Sequence, residues 1–174
     1  MNAKARDFAP LGISVLTVSD TRTIETDTSG QALIDKLNAE GHTLVERKIL
    51  VDNPYLIRAQ VAQWAINDDV EVVLITGGTG MTGRDVTPEA VGPLFDKEIV
   101  GFGELFRWIS YEEIRTSTMQ SRAVGGISNG TLIFCLPGST GACHTAWDKI
   151  LRDQLDIRNG PCNFAELMPR LKEK

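Results

Sequence analysis

Two stretches of this chain, Ile13-Ser14-Val15-Leu16-Thr17-Val18 and Val70-Glu71-Val72-Val73-Leu74-Ile75, would place apolar side chains on both faces of an extended strand. A strand with both faces apolar needs cover on both, which is the situation of a parallel sheet between helices. The intervening segments supply those helices. Gln31 to Glu40 puts Leu33, Ile34 and Leu37 on one helical face and stops at Gly41, a residue suited to a C-terminal cap. Leu44 to Val51 reads as a second strand. Asn53-Pro54 opens a helix running to Asn67, with Ile57, Val61, Trp64 and Ala65 facing inward. This strand–helix alternation predicts parallel strands joined by crossover helices.

Further along, Phe102, Leu105, Phe106 and Ile109 mark another helix. Ala123 to Ile127 and Thr131 to Leu136 are short strands flanking Ser128-Asn129-Gly130, and Asn-Gly between apolar runs signals a hairpin. A helix carrying Ala142, Ala146, Trp147, Ile150 and Leu151 follows the last strand. The expected fold is α/β: a three-layer sandwich with a mostly parallel sheet, one antiparallel strand pair and helices on both faces. The expected organisation is a single domain over 1–174, with about 1–10 and 158–174 as terminal extensions.

The chemistry concentrates in Thr76-Gly77-Gly78-Thr79-Gly80-Met81-Thr82-Gly83-Arg84-Asp85-Val86-Thr87-Pro88-Glu89. Four glycines within seven positions sacrifice backbone entropy, which argues for a close approach to a ligand rather than a plain turn. Thr87-Pro88 is expected to start a helix, with threonine as cap and proline in first position. A strand end offering amides, hydroxyls, one guanidinium and one carboxylate suits a phosphate ester and its metal ion. In open α/β sheets ligands bind beyond the carboxyl ends of the strands. That rule gathers Ser19 and Asp20, then Asp52, then the glycine run with Arg84 and Asp85, then Pro137-Gly138-Ser139-Thr140. Asp20, Asp52 and Asp85 can together hold Mg²⁺ through one or two carboxylates plus substrate phosphates. Asp20 and Asp52 also suit a simple capping role.

Two familiar patterns are poor matches. Gly78 to Gly83 satisfies G-x-G-x-x-G, but it follows the third strand and Pro88 delays the helix, unlike a dinucleotide fingerprint. That leaves a nucleotide-dependent oxidoreductase with little support. A Walker loop fails because Arg84 and Asp85 stand where lysine and Ser/Thr are required. The net charge of −5 disfavours nucleic acid and anionic membranes as partners. No apolar stretch approaches the roughly 20 residues of a bilayer span, and Met1 to Pro10 lacks a signal-peptide core, so the chain reads as cytoplasmic. Cys135, Cys143 and Cys162 contain no C-x-x-C pair, which argues against disulfides, and His42 and His144 alone argue against zinc. Trp64, Trp108 and Trp147 are expected in the core or at subunit contacts. Glu104 and Arg107 are expected to form a surface ion pair, and His144 to lie on a helix surface.

The pieces Leu16-Thr17-Val18-Ser19-Asp20, Thr76 to Glu89 and Leu136-Pro137-Gly138-Ser139 resemble, in order and spacing, the molybdenum cofactor biosynthesis family that includes MogA, MoaB and the G domains of gephyrin. Gly101 to Arg107, Thr116 to Ala123 and Gly160 to Phe164 look most like its MoaB-type members. The resemblance implies a domain that assembles as a homotrimer or, by pairing trimers, a hexamer. It implies molybdopterin as ligand, and adenylylation of the terminal phosphate of that pterin by Mg-ATP with release of pyrophosphate. It also leaves open a non-catalytic molybdopterin or precursor carrier. By motif match, Asp20 belongs to the pterin and metal side. Asp85 is the leading catalytic residue, with Asp52 beside it. Gly77, Gly78, Thr79 and Gly80 cradle phosphate, and Ser121 and Pro137-Gly138-Ser139 line the cleft. Ser19, Thr76 and Arg84 complete the expected binding set.

Overall fold

The fold comes from a computed structural model that describes residues 6–173. A six-stranded sheet has the order β2-β1-β3-β6-β5-β4. Its strands are β1 (Gly12–Val18), β2 (Thr43–Leu50), β3 (Val72–Thr76), β4 (Lys97–Glu98), β5 (Val124–Ser128) and β6 (Thr131–Leu136). β2, β1, β3 and β6 run parallel to one another. β5 returns antiparallel to β6 through the expected Asn129-Gly130 turn, where both residues have positive φ. The two-residue β4, which the sequence did not signal, adds itself antiparallel to β5 at the sheet edge.

The helices are α1 (Thr28–Glu40), α2 (Pro54–Ala65), α3 (Thr87–Val91), α4 (Val100–Ile114) and α5 (Thr140–Ala146). After α5 the chain continues through a π-helical turn at Trp147–Leu151 into α6 (Arg152–Gln154), and α7 (Phe164–Leu167) closes the domain. Alternate strand residues point to opposite faces, so each strand feeds two cores. Val72 and Leu74 join Ile13, Val15 and Phe134 beneath α1, α4 and α5, with Leu33, Leu37, Phe106 and Trp147 from the helices. Val73 and Ile75 join Leu16, Ile133 and Cys135 beneath α2 and α3, with Ile57, Val61 and Trp64. This is the three-layer α/β sandwich that the uninterrupted apolar strands required.

Local signals explain most boundaries. Asn53 accepts from the Tyr55 and Leu56 amides and starts α2. Gly41 ends α1 in the left-handed region at φ 93°. α1 begins three residues before the first predicted helical position because Asp27 caps it, accepting from the Gly30 amide at 2.9 Å. Thr87 does not cap α3; that position falls to Val86, which makes no side-chain cap bond. The Thr87 hydroxyl instead donates to the Gly77 carbonyl at 2.9 Å. Trp64 and Trp147 are buried, whereas Trp108 is 75% exposed on the outer side of α4. Arg107 donates to the Ala123 carbonyl at 3.1 Å, and it makes no ion pair with Glu104 among the described residues. Cys135 and Cys143 are buried and Cys162 is exposed, all three as free thiols. No helix among the described residues is long and apolar enough to cross a membrane.

Candidate phosphate-ester and pterin cleft

The strand register sets the floor of the site. Thr17 lies beside Thr76, Thr76 beside Leu136, and Val18 beside Leu50. The strand tips therefore finish level, and the segments leaving them emerge side by side. Together they border a cleft of about 610 Å³ lined by Ser19, Asp52, Gly77 to Gly80, Arg84, Asp85, Ser121 and Pro137 to Ser139. Two predicted residues stand apart from that lining. Thr76 is buried under the floor, where its hydroxyl donates to the Pro137 carbonyl at 3.0 Å and receives the Cys143 thiol at 3.3 Å. Asp20 sits at the rim, its carboxylate accepting from the Asp52 amide at 3.2 Å and from Arg84 Nε at 3.0 Å.

The glycine loop lies against its surroundings as closely as a backbone can. Gly77 and Gly78 have φ of 103° and 65°. A Cβ on Gly77 would meet the Val18 carbonyl oxygen at 2.2 Å, and one on Gly78 would meet Thr87 Oγ1 at 2.3 Å and Asp52 Oδ1 at 3.0 Å. A Cβ on Gly80 would sit 2.7 Å from Asp85 Oδ2. Side chains at Gly78 and Gly80 would fill the space between the loop and the two aspartates.

The three aspartates share this corner but differ in environment. Asp85 accepts from the Thr82 hydroxyl at 2.6 Å and the Thr82 amide at 2.9 Å. The Thr82 hydroxyl bond is the main reason its carboxyl lies below its ordinary value, with the Gly80 amide and Arg122 adding to it. The Arg84 guanidinium lowers Asp20 in the same way. Asp52 is shifted the other way: burial first, then the fields of Asp20 and Asp85, push its carboxyl up against the opposing pull of Arg84. Asp52 therefore lies within electrostatic reach of both Asp20 and Asp85. No group of three or more His, Cys, Asp or Glu side chains forms a preassembled metal cage among the described residues. Oxygen donors alone, with an under-compensated Asp52 among them, fit a hard cation that completes its shell with water and phosphate oxygens.

Several functional supports carry no motif. Arg122 donates from Nε to the Gly80 carbonyl at 2.7 Å and from Nη2 to the Asp85 carbonyl at 2.8 Å, and it pairs with Glu89. One guanidinium thus ties the glycine loop to the start of α3. Arg22 reaches across from the first loop to the Gly138 carbonyl at 2.9 Å. Asp27, which is fully buried, holds that first loop by accepting from Thr17 at 2.7 Å and from Arg47 at 2.9 Å. Ser139 caps α5, accepting from the Ala142 amide at 3.2 Å. The opposite wall of the cleft belongs to α4 and its exit, through Phe106, Ser110, Glu113 and Ile114. The glycine run gave no hint of this wall.

Comparisons with known proteins show the family. Residues 14–157 match the family described as "Probable molybdopterin binding domain". The chain is 55% identical over 173 residues to molybdenum cofactor biosynthesis protein B of Escherichia coli K12, covering 99% of this chain and 100% of that protein. It is 50% identical over 142 residues to the protein of the same name from Bacillus cereus, covering 81% of this chain and 84% of that one. A crystal structure of a molybdenum cofactor biosynthesis protein B superposes with a TM-score of 0.87 at 42% identity, covering 97% of this chain and 100% of that one. The tungsten cofactor synthesizing protein MoaB from Pyrococcus furiosus superposes with a TM-score of 0.77 at 34% identity, covering 94% and 98%. With the match spanning both sheet and cleft, the chain belongs to the MoaB family of molybdenum cofactor biosynthesis proteins.

Proposed function

We propose that the cleft binds molybdopterin and Mg-ATP and that the chain transfers the adenylyl group to the terminal phosphate of the pterin. An oxygen of that phosphate attacks the α-phosphorus of ATP; the bond from the α-phosphorus to the bridging oxygen breaks, and pyrophosphate leaves. The attacking oxygen belongs to a phosphate monoester, which is already largely ionised at neutral pH. No strong base is needed, and the difficulty is to bring two polyanions together. The observation that carries this reading is the placement of Gly77 to Gly80 at the strand tips, pressed against Asp52 and Asp85 in one cleft. Loop amides and Arg84 would offset phosphate charge. Asp52 and Asp20 would hold Mg²⁺, which supplies charge neutralisation when bound. Asp85, kept ionised by Thr82, would orient the loop and add negative charge on the metal side.

Asp85→Asn tests this. Turnover measured as pyrophosphate release from Mg-ATP in the presence of molybdopterin should fall at least tenfold. The melting temperature should fall only slightly, because the half-buried asparagine keeps an acceptor oxygen for the Thr82 hydroxyl and amide. Wild-type turnover in this variant would remove Asp85 from the mechanism.

One observation favours a second reading. Asp20 is engaged by Arg84 and Asp85 by Thr82, so the carboxylates are not presented together as an open metal set. A carrier that binds molybdopterin without transfer would be built this way. Calorimetric titration with molybdopterin, with and without Mg-ATP, separates the two: binding without pyrophosphate release supports the carrier. We also propose that the chain works as a homotrimer or as a hexamer of paired trimers. Exposed Trp108 and Tyr111 on α4, which do not line the cleft, support a subunit contact, and sedimentation velocity measures the assembly directly.

A further inference from the structure

The cleft has two walls of different chemistry, and the wall furnished by α4 holds a carboxylate that the phosphate reading does not use. Glu113 lines the cleft beside Phe106 and Ile114. Both of its carboxylate oxygens are within reach of the buried Thr145 hydroxyl on α5, at 3.1 and 2.9 Å. It forms no ion pair among the described residues, whereas Asp20 and Asp27 both have arginine partners. A surface glutamate ordinarily swings free in water. This one is tethered from behind by a hydroxyl that is itself only 6% exposed, so its orientation is set before anything binds.

We infer that Glu113 recognises the ring of the ligand: it accepts, through both carboxylate oxygens, the two adjacent N–H groups on the 2-amino-4-oxo edge of a pterin. A carboxylate offers two parallel acceptors, and the pterin edge offers one ring N–H beside an exocyclic amine. Their fit is the fork-to-fork geometry by which arginine binds carboxylates. Adenine has no such edge, because its amine neighbours a ring acceptor. A group that demands two donors therefore rejects adenine by leaving a charged acceptor unpaired. Ile114, half exposed on the same wall, gives the flat ring an apolar contact. Glu113 is in this sense the specificity-determining residue that assigns the α4 wall to the pterin and leaves the glycine loop and the aspartates to phosphate. The inference rests on the molybdopterin reading above and says which end of the cleft the ring occupies. Guanine carries the same pair of donors, so a guanine nucleotide is included as a competitor.

The test is fluorescence titration with neopterin monophosphate, run on wild type, Glu113→Gln and Thr145→Val, alongside calorimetric titration with Mg-ATP. Glu113→Gln should weaken pterin binding at least tenfold, in line with losing charge-assisted hydrogen bonds, and leave Mg-ATP affinity within twofold. Thr145→Val keeps the volume but removes the tether, so it should weaken pterin binding by a smaller factor. Thermal melting of each variant reports whether the fold is retained, and Thr145→Val serves if Glu113→Gln does not fold. GMP should displace the pterin from wild type more effectively than AMP and lose that advantage in Glu113→Gln. Equal pterin affinity in wild type and both variants overturns the role of Glu113 while leaving the molybdopterin reading intact. Failure of wild type to bind the pterin at all, with Mg-ATP still bound, overturns both.

Discussion

Asp52 is the residue at which the cost of the site is concentrated. Its carboxylate is pushed up by burial and by the charges of Asp20 and Asp85, and the nearby Arg84 offsets only part of this. Arg84 itself is already bonded to Asp20. An ionised group with a raised folded-state pKa is held at the expense of the fold, a common trade at functional sites. Asp52→Asn should therefore raise the melting temperature of the unliganded protein, by about 2 °C, while abolishing any stabilisation by Mg-ATP. Differential scanning fluorimetry with and without Mg-ATP gives both values, and a lowered melting temperature without ligand would contradict the electrostatic argument. At this scale the sequence was informative wherever a residue sat next to a strand end. Asp20 and Asp52 could be placed at strand ends because β1 and β2 stop just before them, and Asp85 because it closes the glycine run that leaves β3. Arg122 and Glu113 were not legible, because they act from segments whose place over the cleft is fixed only by tertiary packing.

The glycine loop is the element that couples packing to chemistry. Gly78 combines left-handed backbone with a Cβ position already occupied by Thr87 Oγ1, and that hydroxyl is the bond that fixes the Gly77 carbonyl. Gly78→Ala should lower stability by about 2 kcal/mol, the scale of a strained left-handed residue, and should eliminate nucleotide binding. Urea denaturation measures the first effect and calorimetry the second. A variant as stable as wild type would show that the loop has room it is not credited with. Thr87 also marks where reading by propensity goes astray. Threonine before proline signals a cap, but the hydroxyl is committed to the glycine loop. β5 makes a related point. An Asn-Gly turn predicted its reversal, and the reversal has a use: it brings Ser121 and Arg122, which enter β5, to the tips of β3 and β6 instead of the far end of the sheet. The antiparallel strand lets a late segment brace a loop that left the sheet more than thirty residues earlier.

At the scale of the whole molecule, His42 ties the chain's early residues to its last helices. Its Nδ1 accepts the Leu11 amide at 3.1 Å, and its ring lies between Phe8 and Trp147. Burial holds its pKa below the ordinary value, with Asp156 opposing more weakly. The neutral form is the one the fold accepts, because protonation would turn the acceptor into a donor facing another donor. The unfolded chain thus binds the proton more readily, and stability rises with pH. The contribution is fully present above about pH 6.5, the unfolded value, and is lost as pH falls toward the lower folded value. Urea midpoints measured from pH 5 to pH 8 should show this loss, and His42→Gln should flatten it. A wild-type profile that does not fall below pH 6.5 would remove His42 from this role.

Of the three thiols, Cys143 is pushed up to about 11 by burial beneath Thr76, and Cys135 is buried completely. Reagents that attack thiolates will therefore find a single reactive address per native chain, Cys162. Intact mass after maleimide treatment should gain one adduct under native conditions and three in denaturant. The wild-type sequence can thus carry a site-specific fluorophore or spin label without engineered cysteines, in a pocket beside Pro161 and Phe164 that shares no lining residue with the cleft.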